Sequence, residues 1–186
     1  MKFISSIFIL LTLFSCLSEK EKIVHITGKT MGTYYSVKVV GSNIVVEDLK
    51  TQIDGLLKEI NNVFSTYIED SELSKLNKNQ SLNSTKITPV LAEVLTLSKS
   101  IYKKSDGAFD VTIGPLVNMW GFGPDKIKKR PTEEEIKAKL TAVGSDKFKV
   151  SKNTIVKLAL NLYIDLSAIA KGQAVDDLAL TLANRG

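Results

Sequence analysis

The segment formed by residues 106–124 concentrates residue types that could bind a flat ligand. It contains the only Trp of the chain, four Gly and two of the four Pro. Its apolar residues follow neither a helical nor a strand period. Glycine allows close backbone approach, while proline fixes one backbone angle and removes a hydrogen-bond donor. We therefore expect a shaped loop whose backbone amides are free to face a ligand.

The side chains of this segment combine flat apolar surface with a few hydrogen-bonding groups. That combination is typical of a pocket for an aromatic ligand. It is also compatible with a rigid aromatic corner that fills a core, and residue types alone leave both interpretations open. The aromatic residues are Phe109, Trp120 and Phe122, and the polar residues are Asp110, Thr112 and Asn118.

A second segment, residues 165–176, carries a different chemistry. Asp165 ends a predicted strand, and the small residues that follow it begin a predicted helix with Lys171 one turn in. The amides at a helix start lack intrahelical partners and the helix dipole is positive there, so an anionic group is favoured. The alternative is an ordinary capped helix that carries a surface lysine, and the segment taken alone favours this alternative, because helix starts are common and anion sites are not.

Charge and histidine content argue against two classes of function. The formal net charge is only +5, and the excess is spread thinly apart from one basic cluster that we interpret as a solvated loop. Neither feature is typical of nucleic-acid binding. His25, the only histidine, occupies an alternating strand position without a second His or Cys, so we expect an exposed strand residue. The basic cluster consists of Lys126, Lys128, Lys129 and Arg130.

The N-terminus has the layout of a bacterial lipoprotein signal. A basic start is followed by the apolar residues 3–14, which are too few to span a membrane. Residues 13–16 resemble a lipobox, so we expect a signal peptide at residues 1–15, a lipid-modified Cys16 and a tether at residues 16–22. A secretory or anchor segment with an incidental buried Cys is the alternative. If cleavage precedes Cys16, neither a disulfide nor a thiol nucleophile remains for the domain.

Periodicity predicts the elements that must position these two segments. Two β-branched runs predict paired strands, and three-and-four spacing of apolar residues predicts amphipathic helices with capping residues at Ser71, Thr88 and Thr132. A meander of three strands ends with the strand that carries Asp165, and a last helix closes the chain. The predicted strands are 23–28, 33–40, 147–150, 154–159 and 162–166, and the predicted helices include 48–64, 89–104 and 178–186, the last stopped by the C-terminal glycine. This pattern predicts an α+β fold.

Four blocks of the chain resemble the ApbE family, the FAD:protein FMN transferases, in the order in which that family carries them. The resemblance implies a T-fold-like α+β domain in which antiparallel strands pack with helices. It covers nearly all of the chain after the tether. The blocks are Met31-Gly32-Thr33, then Ser65-Thr66-Tyr67 with Asp70-Ser71-Glu72-Leu73, then residues 107–117 with Trp120-Gly121-Phe122-Gly123, and finally residues 165–172.

The resemblance implies a magnesium-dependent enzyme that splits FAD. The FMN half would be attached through a phosphoester bond to a Thr or Ser hydroxyl of a partner flavoprotein, and AMP would leave. Phosphoryl transfer depends on positioning and charge neutralisation, so it suits a domain without a thiol or a His pair. By the matched motifs, FAD would contact Met31, Tyr67, Ala108, Phe109, Asp110, Asp165 and Lys171, and the backbone of Ala168 would contribute to the Mg²⁺ site.

The resemblance also implies a location and a boundary. Many family members resemble periplasm-facing lipoproteins, which agrees with a chain anchored through Cys16 in the bacterial cell envelope. Residues 23–186 match only the N-terminal part of the family domain, so we expect a domain that is incomplete at its C-terminus. Family members supply an Asp and a Thr to the metal from later strands. A flavin-binding lipoprotein, an inactive fragment and an FAD pyrophosphatase are the alternatives.

Overall fold

The computed structural model describes residues 20–124 and 130–185, which form an α+β fold as predicted. A two-stranded hairpin and a three-stranded antiparallel sheet pack with helices around one core. The elements are β1 (Lys22–Thr30), β2 (Thr33–Gly41), α1 (Val46–Phe64), α2 (Glu72–Lys78), β3 (Thr85–Lys86), α3 (Pro89–Lys104), α4 (Gly114–Met119), α5 (Glu133–Leu140), β4 (Phe148–Ser151), β5 (Thr154–Lys157) and α6 (Ala170–Ala183).

The first two strands form the predicted hairpin. β1 and β2 pair antiparallel in one continuous register from Lys22 opposite Gly41 to Thr30 opposite Thr33. Met31 and Gly32 make the turn with φ of 48° and 70°, and positive φ at both central residues is what a tight right-twisted hairpin requires. His25 is exposed and its Nε2 lies 2.7 Å from the hydroxyl of Ser36, in agreement with the prediction.

The second sheet has the strand order β3-β5-β4, and a turn at residues 152–153 joins β4 to β5. The sheet contributes Phe148 and Ile155 to a core that α1, α2, α3 and α6 cover from several sides. Burial of such apolar surface is the main stabilising term of the fold. The segment 162–166 lies inside this core and connects the sheet to α6.

The predicted helix starts are confirmed by their capping bonds. The hydroxyl of Ser71 accepts a hydrogen bond from the amide of Ser74, and the hydroxyl of Thr88 accepts one from the amide of Leu91. Thr132 and Glu135 form a complete capping box at the start of α5. Each cap satisfies an amide that the helix itself leaves without a partner.

Two predictions about secondary structure are wrong. Residues 162–166 belong to no strand, because their backbone groups bond to a side chain and to the loop at Val111. Residues 106–124 are not irregular throughout, since α4 occupies their centre. Its start at Gly114-Pro115 fits the preference of proline for the first helical turn, where no amide donor is needed.

Several predictions concern residues outside the described part of the chain. The signal peptide at residues 1–15, the lipidation at Cys16 and most of the tether lie there, as do Lys126, Lys128 and Lys129 of the basic cluster. Within residues 20–124 and 130–185, each helix is too short or too polar to cross a membrane.

Candidate functional site

Asp110 is anchored through one of its two carboxylate oxygens. Oδ1 accepts hydrogen bonds from the amide of Thr112 at 2.8 Å, from the hydroxyl of Thr112 at 2.7 Å and from the hydroxyl of Ser145 at 2.9 Å. Among the residues that the structure describes, no donor bonds to Oδ2. The carboxylate is therefore held in one orientation while its second oxygen keeps its capacity to accept a bond from a ligand.

The partners of Asp110 are themselves fixed by the segment before β4. Thr112 is fully buried and its hydroxyl accepts a hydrogen bond from the amide of Gly144 at 2.7 Å. The ammonium of Lys99 donates to the carbonyl oxygens of Ser145 and Phe148. Desolvation lowers the pKa of Lys99, and the nearby charges of Asp146 and Asp110 oppose that shift. This network ties α3, the 106–113 loop and β4 together around one carboxylate.

Asp165 lies in the buried segment 162–166 and is connected directly to the loop that carries Asp110. Its amide donates to the carbonyl of Val111 at 2.8 Å, and its Oδ1 accepts from the amide of Ser167 at 2.7 Å. In the described part of the chain, Oδ2 of Asp165 has no hydrogen-bond donor. We name Asp110 and Asp165 the carboxylate pair, since both are anchored through Oδ1 and their segments are joined through the backbone.

A close backbone approach reinforces the junction between these two segments. A Cβ placed on Gly114 would lie 2.3 Å from Cδ1 of Tyr163, a distance that no side chain tolerates without movement. Gly114 is buried at the start of α4, and Tyr163 belongs to the segment that carries Asp165. The glycine therefore allows the two motif segments to pack in contact.

Tyr67 is brought together with the aromatic end of the 106–124 segment. Its hydroxyl donates to the carbonyl of Phe122 at 2.6 Å, although the two residues are 55 positions apart. The side chains of Tyr67, Trp120 and Phe122 are 63%, 46% and 76% exposed. We name these three residues the aromatic patch. Flat apolar surface that is exposed in this way is available to cover a planar ligand.

Met31 and Lys171 line a cleft that includes neither the carboxylate pair nor the aromatic patch. The cleft has a volume of about 1290 Å³ and lies between β2, the first half of α1 and α6. Met31 is half-buried in the hairpin turn, whereas Lys171 is exposed at the second position of α6. The side chain of Asn61 donates to Thr30 at 2.9 Å and so fixes the turn to the same end of α1 that leads to Tyr67.

Phe109, Ala108 and Ala168 occupy different environments. Phe109 packs against the core, so it supports the loop rather than standing free as a flat surface. Ala108 and Ala168 are exposed, and Ala168 lies in the turn between Asp165 and α6. In residues 20–124 and 130–185, no three His, Cys, Asp or Glu side chains form a group that could hold a metal ion.

The structure thus places the predicted site residues in three sets. Asp110 and Asp165 form the carboxylate pair, Tyr67 belongs to the aromatic patch, and Met31 and Lys171 line the cleft. Sequence reasoning missed Ser145, Lys99, Asn61 and Asn77, which support these groups from distant positions. Asn77 lies four residues beyond the second matched block, which ends at Leu73, so the resemblance did not single it out. Buried polar residues of this kind carry no period that reveals their partners.

Comparison with known proteins supports a single family. The model of the ApbE family matches residues 31–186. The FAD:protein FMN transferase of Haemophilus influenzae is 40% identical over 178 residues, which is 91% of this chain and 51% of that relative. The FAD:protein FMN transferase of Vibrio cholerae is 41% identical over 184 residues, covering 95% of this chain and 54% of the relative. The chain spans about half the length of the curated relatives it matches.

Solved structures agree with this result. The flavin transferase ApbE from Vibrio cholerae superposes with a TM-score of 0.85 at 39% identity, over 89% of this chain and 54% of that chain. The flavinyl transferase ApbE of Pseudomonas stutzeri, in its apo form, gives a TM-score of 0.84 at 31% identity, over 90% of this chain and 56% of the other. The fold, the matched residues and the identities agree, and the chain belongs to the ApbE family.

Proposed function

We propose that this chain carries the flavin-binding part of an FAD:protein FMN transferase. The observation that carries the proposal is the carboxylate pair, in which Asp110 and Asp165 each keep one oxygen without a donor in the described residues while backbone bonds join their segments. Carboxylate oxygens oriented in this way can accept hydrogen bonds from hydroxyl or N–H groups of a ligand, or hold a metal ion that neutralises phosphate charge. Family membership and the curated relatives named FAD:protein FMN transferase support the same reaction.

The proposed reaction is a phosphoryl transfer. The oxygen of a Thr or Ser hydroxyl on a partner flavoprotein attacks the phosphorus of the FMN half, and the pyrophosphate bond to the AMP half breaks. AMP leaves with the bridging oxygen, and the hydroxyl proton passes to a base or to water. Such a reaction needs positioning and charge neutralisation and no covalent protein nucleophile.

The residues of this chain supply binding and orientation. The aromatic patch offers surface for the flavin ring. The hydrogen bond from the hydroxyl of Tyr67 to the carbonyl of Phe122 holds the patch together. The exposed Lys171 brings a positive charge to the start of α6, where a phosphate is favoured. Asp110 and Asp165 orient the polar part of FAD through their second oxygens.

Magnesium is part of this proposal. Asp165 and the backbone of the nearby Ala168 offer oxygen atoms, the donor type that Mg²⁺ prefers, and Mg²⁺ commonly keeps waters and substrate phosphates as its remaining ligands. The donor chemistry therefore fits, and these two residues would hold the ion. A bound Mg²⁺ would neutralise charge on the phosphates of FAD.

AMP release tests the proposal. The chain from Leu17 onward is incubated with FAD in Mg²⁺ or in EDTA, and AMP, free FMN and protein-bound flavin are measured. Mg²⁺-dependent AMP with FMN attached to an added flavoprotein supports the transferase. AMP with free FMN alone supports an FAD pyrophosphatase, and FAD binding without AMP supports a flavin-binding protein. Absence of both binding and AMP release contradicts the proposal and supports an inactive fragment.

We also propose that Cys16 anchors the chain to the bacterial cell envelope with the domain facing the periplasm. The support is the short apolar run followed by the lipobox-like residues 13–16. Expression of the chain and of Cys16→Ser, followed by detergent-phase partitioning, tests this. The native chain should enter the detergent phase and the variant should not. Equal partitioning of both contradicts lipidation at Cys16.

A further inference from the structure

Asn77 makes the contact that holds the Asp165 segment in place. It is buried, and its side-chain amide forms both hydrogen bonds that a neighbouring strand would form. Nδ2 donates to the carbonyl of Ile164 at 2.8 Å, and Oδ1 accepts from the amide of Ile164 at 2.8 Å. These bonds replace the strand pairing that residues 162–166 lack, because a buried backbone must find partners for its polar groups.

The backbone of Asn77 is fixed in its turn by a buried lysine. The ammonium of Lys157 donates to the carbonyl of Asn77 at 3.3 Å and to the carbonyl of Asn79 at 2.8 Å. These carbonyls lie at the end of α2, where helix carbonyl groups lack intrahelical partners and a positive charge is favourable. Lys157 is only 2% exposed, so β5 and α2 are joined inside the core.

We infer that Asn77 is a positioning residue for Asp165 in the flavin site. Ile164 is fixed by Asn77 on one side, and the amide of the next residue, Asp165, is fixed by Val111 on the other. The direction of the Asp165 carboxylate is therefore set by two anchors, one from α2 and one from the loop of Asp110. Asn77 itself does not touch the ligand, and the inference rests on the proposed function.

Substituting Asn77 should weaken FAD binding without unfolding the domain. Asn77→Asp keeps the size of the side chain and the Oδ1 acceptor but removes the donor to Ile164. Asn77→Ser serves as a second variant if the aspartate does not fold. We expect the FAD dissociation constant to rise by about tenfold or more, the order of the losses seen when supporting partners of a ligand site are removed.

A matched control separates positioning from general destabilisation. Asn79→Ala removes bonds to Ser81 and Thr85 in the adjacent turn but leaves the Asp165 segment untouched. FAD is titrated in Mg²⁺ by flavin fluorescence, well below the unfolding temperature of each variant, so that stability loss alone leaves the dissociation constant unchanged. Amide hydrogen exchange of residues 164–167 is followed in the same samples.

The inference predicts weaker FAD binding and faster exchange at residues 164–167 in Asn77→Asp, with both unchanged in Asn79→Ala. FAD binding equal to that of the native chain in both Asn77 variants overturns the positioning role and leaves the proposed function intact. An equal loss of affinity in Asn79→Ala also overturns it. Absence of saturable FAD binding by the native chain refutes the proposed function, and the role of Asn77 with it.

Discussion

The carboxylate pair and the aromatic patch are built in opposite ways. Asp110 is held by three hydrogen bonds on one oxygen, and Asp165 is 7% exposed in a segment that Asn77 and Val111 hold from two sides. The aromatic patch is mostly exposed, and among the described residues one side-chain hydrogen bond, from Tyr67 to the carbonyl of Phe122, links its two parts.

This difference indicates a division of labour. Carboxylates act on a phosphate through the donor group or metal ion that they hold, and they hold it best when they are already oriented, so rigidity favours the carboxylate pair. Aromatic side chains gain most when a ligand covers surface that water would otherwise contact, so exposure suits the patch. The comparison predicts that truncating a buried apolar side chain beside the carboxylate pair lowers stability, whereas substitutions in the exposed patch change ligand affinity and leave stability nearly unchanged.

The largest effect is expected from Leu166→Ala, next to Asp165. Leu166 is fully buried, so its truncation should lower the free energy of unfolding by about 2–5 kcal/mol through lost burial and a residual cavity. Denaturant titration measures this loss. Leu158→Ala provides the control, since Leu158 is 48% exposed and should change stability by less than about 0.5 kcal/mol. Equal effects would show that the Asp165 segment is not part of the rigid core.

A smaller effect concerns Lys157, which supports the same segment. Burial lowers the pKa of its ammonium from 10.5, so between the lowered pKa and 10.5 the unfolded state binds more protons. The free energy of unfolding should therefore rise with pH across that window, by at most about 1.4 kcal/mol per pH unit for one group. The difference between the native chain and Lys157→Met isolates this slope. A difference that is flat with pH contradicts a buried, charged lysine.

The smallest effect is expected from Tyr67→Ala in the aromatic patch. Tyr67 is 63% exposed, so its loss should leave the unfolding midpoint nearly unchanged. FAD affinity should fall by about 1 kcal/mol, the worth of one aromatic contact. Tyr67→Phe, which keeps the ring and removes the hydroxyl, is the matched control and should retain more of the affinity. If Tyr67→Ala binds FAD as tightly as the native chain, the patch does not contact the flavin.

Local signals in the sequence predicted local structure well. The pairing of the first two strands and the caps at Ser71, Thr88 and Thr132 are confirmed, because each depends on residues that are close in the chain. The matched blocks predicted the α+β fold and the family. The individual roles of the named site residues stay predictions.

The supporting contacts could not be predicted in the same way. Asn77 and Ile164 are 87 positions apart, and Ser145 and Asp110 are 35 apart. An apolar run such as residues 162–166 looks like a strand whether its backbone pairs with another strand or with one asparagine side chain. The helix inside residues 106–124 was missed for a related reason, since a short turn of helix leaves no measurable period.

The central claim is that the carboxylate pair belongs to an FAD site, and one titration tests it most directly. FAD is added in Mg²⁺ to the chain from Leu17 onward and to Asp165→Ala, with flavin fluorescence as the signal and thermal unfolding as the check on folding. The account predicts saturable binding by the native chain and clearly weaker binding by a folded Asp165→Ala. Equal affinity in the two proteins, or no saturable binding by the native chain, would contradict it.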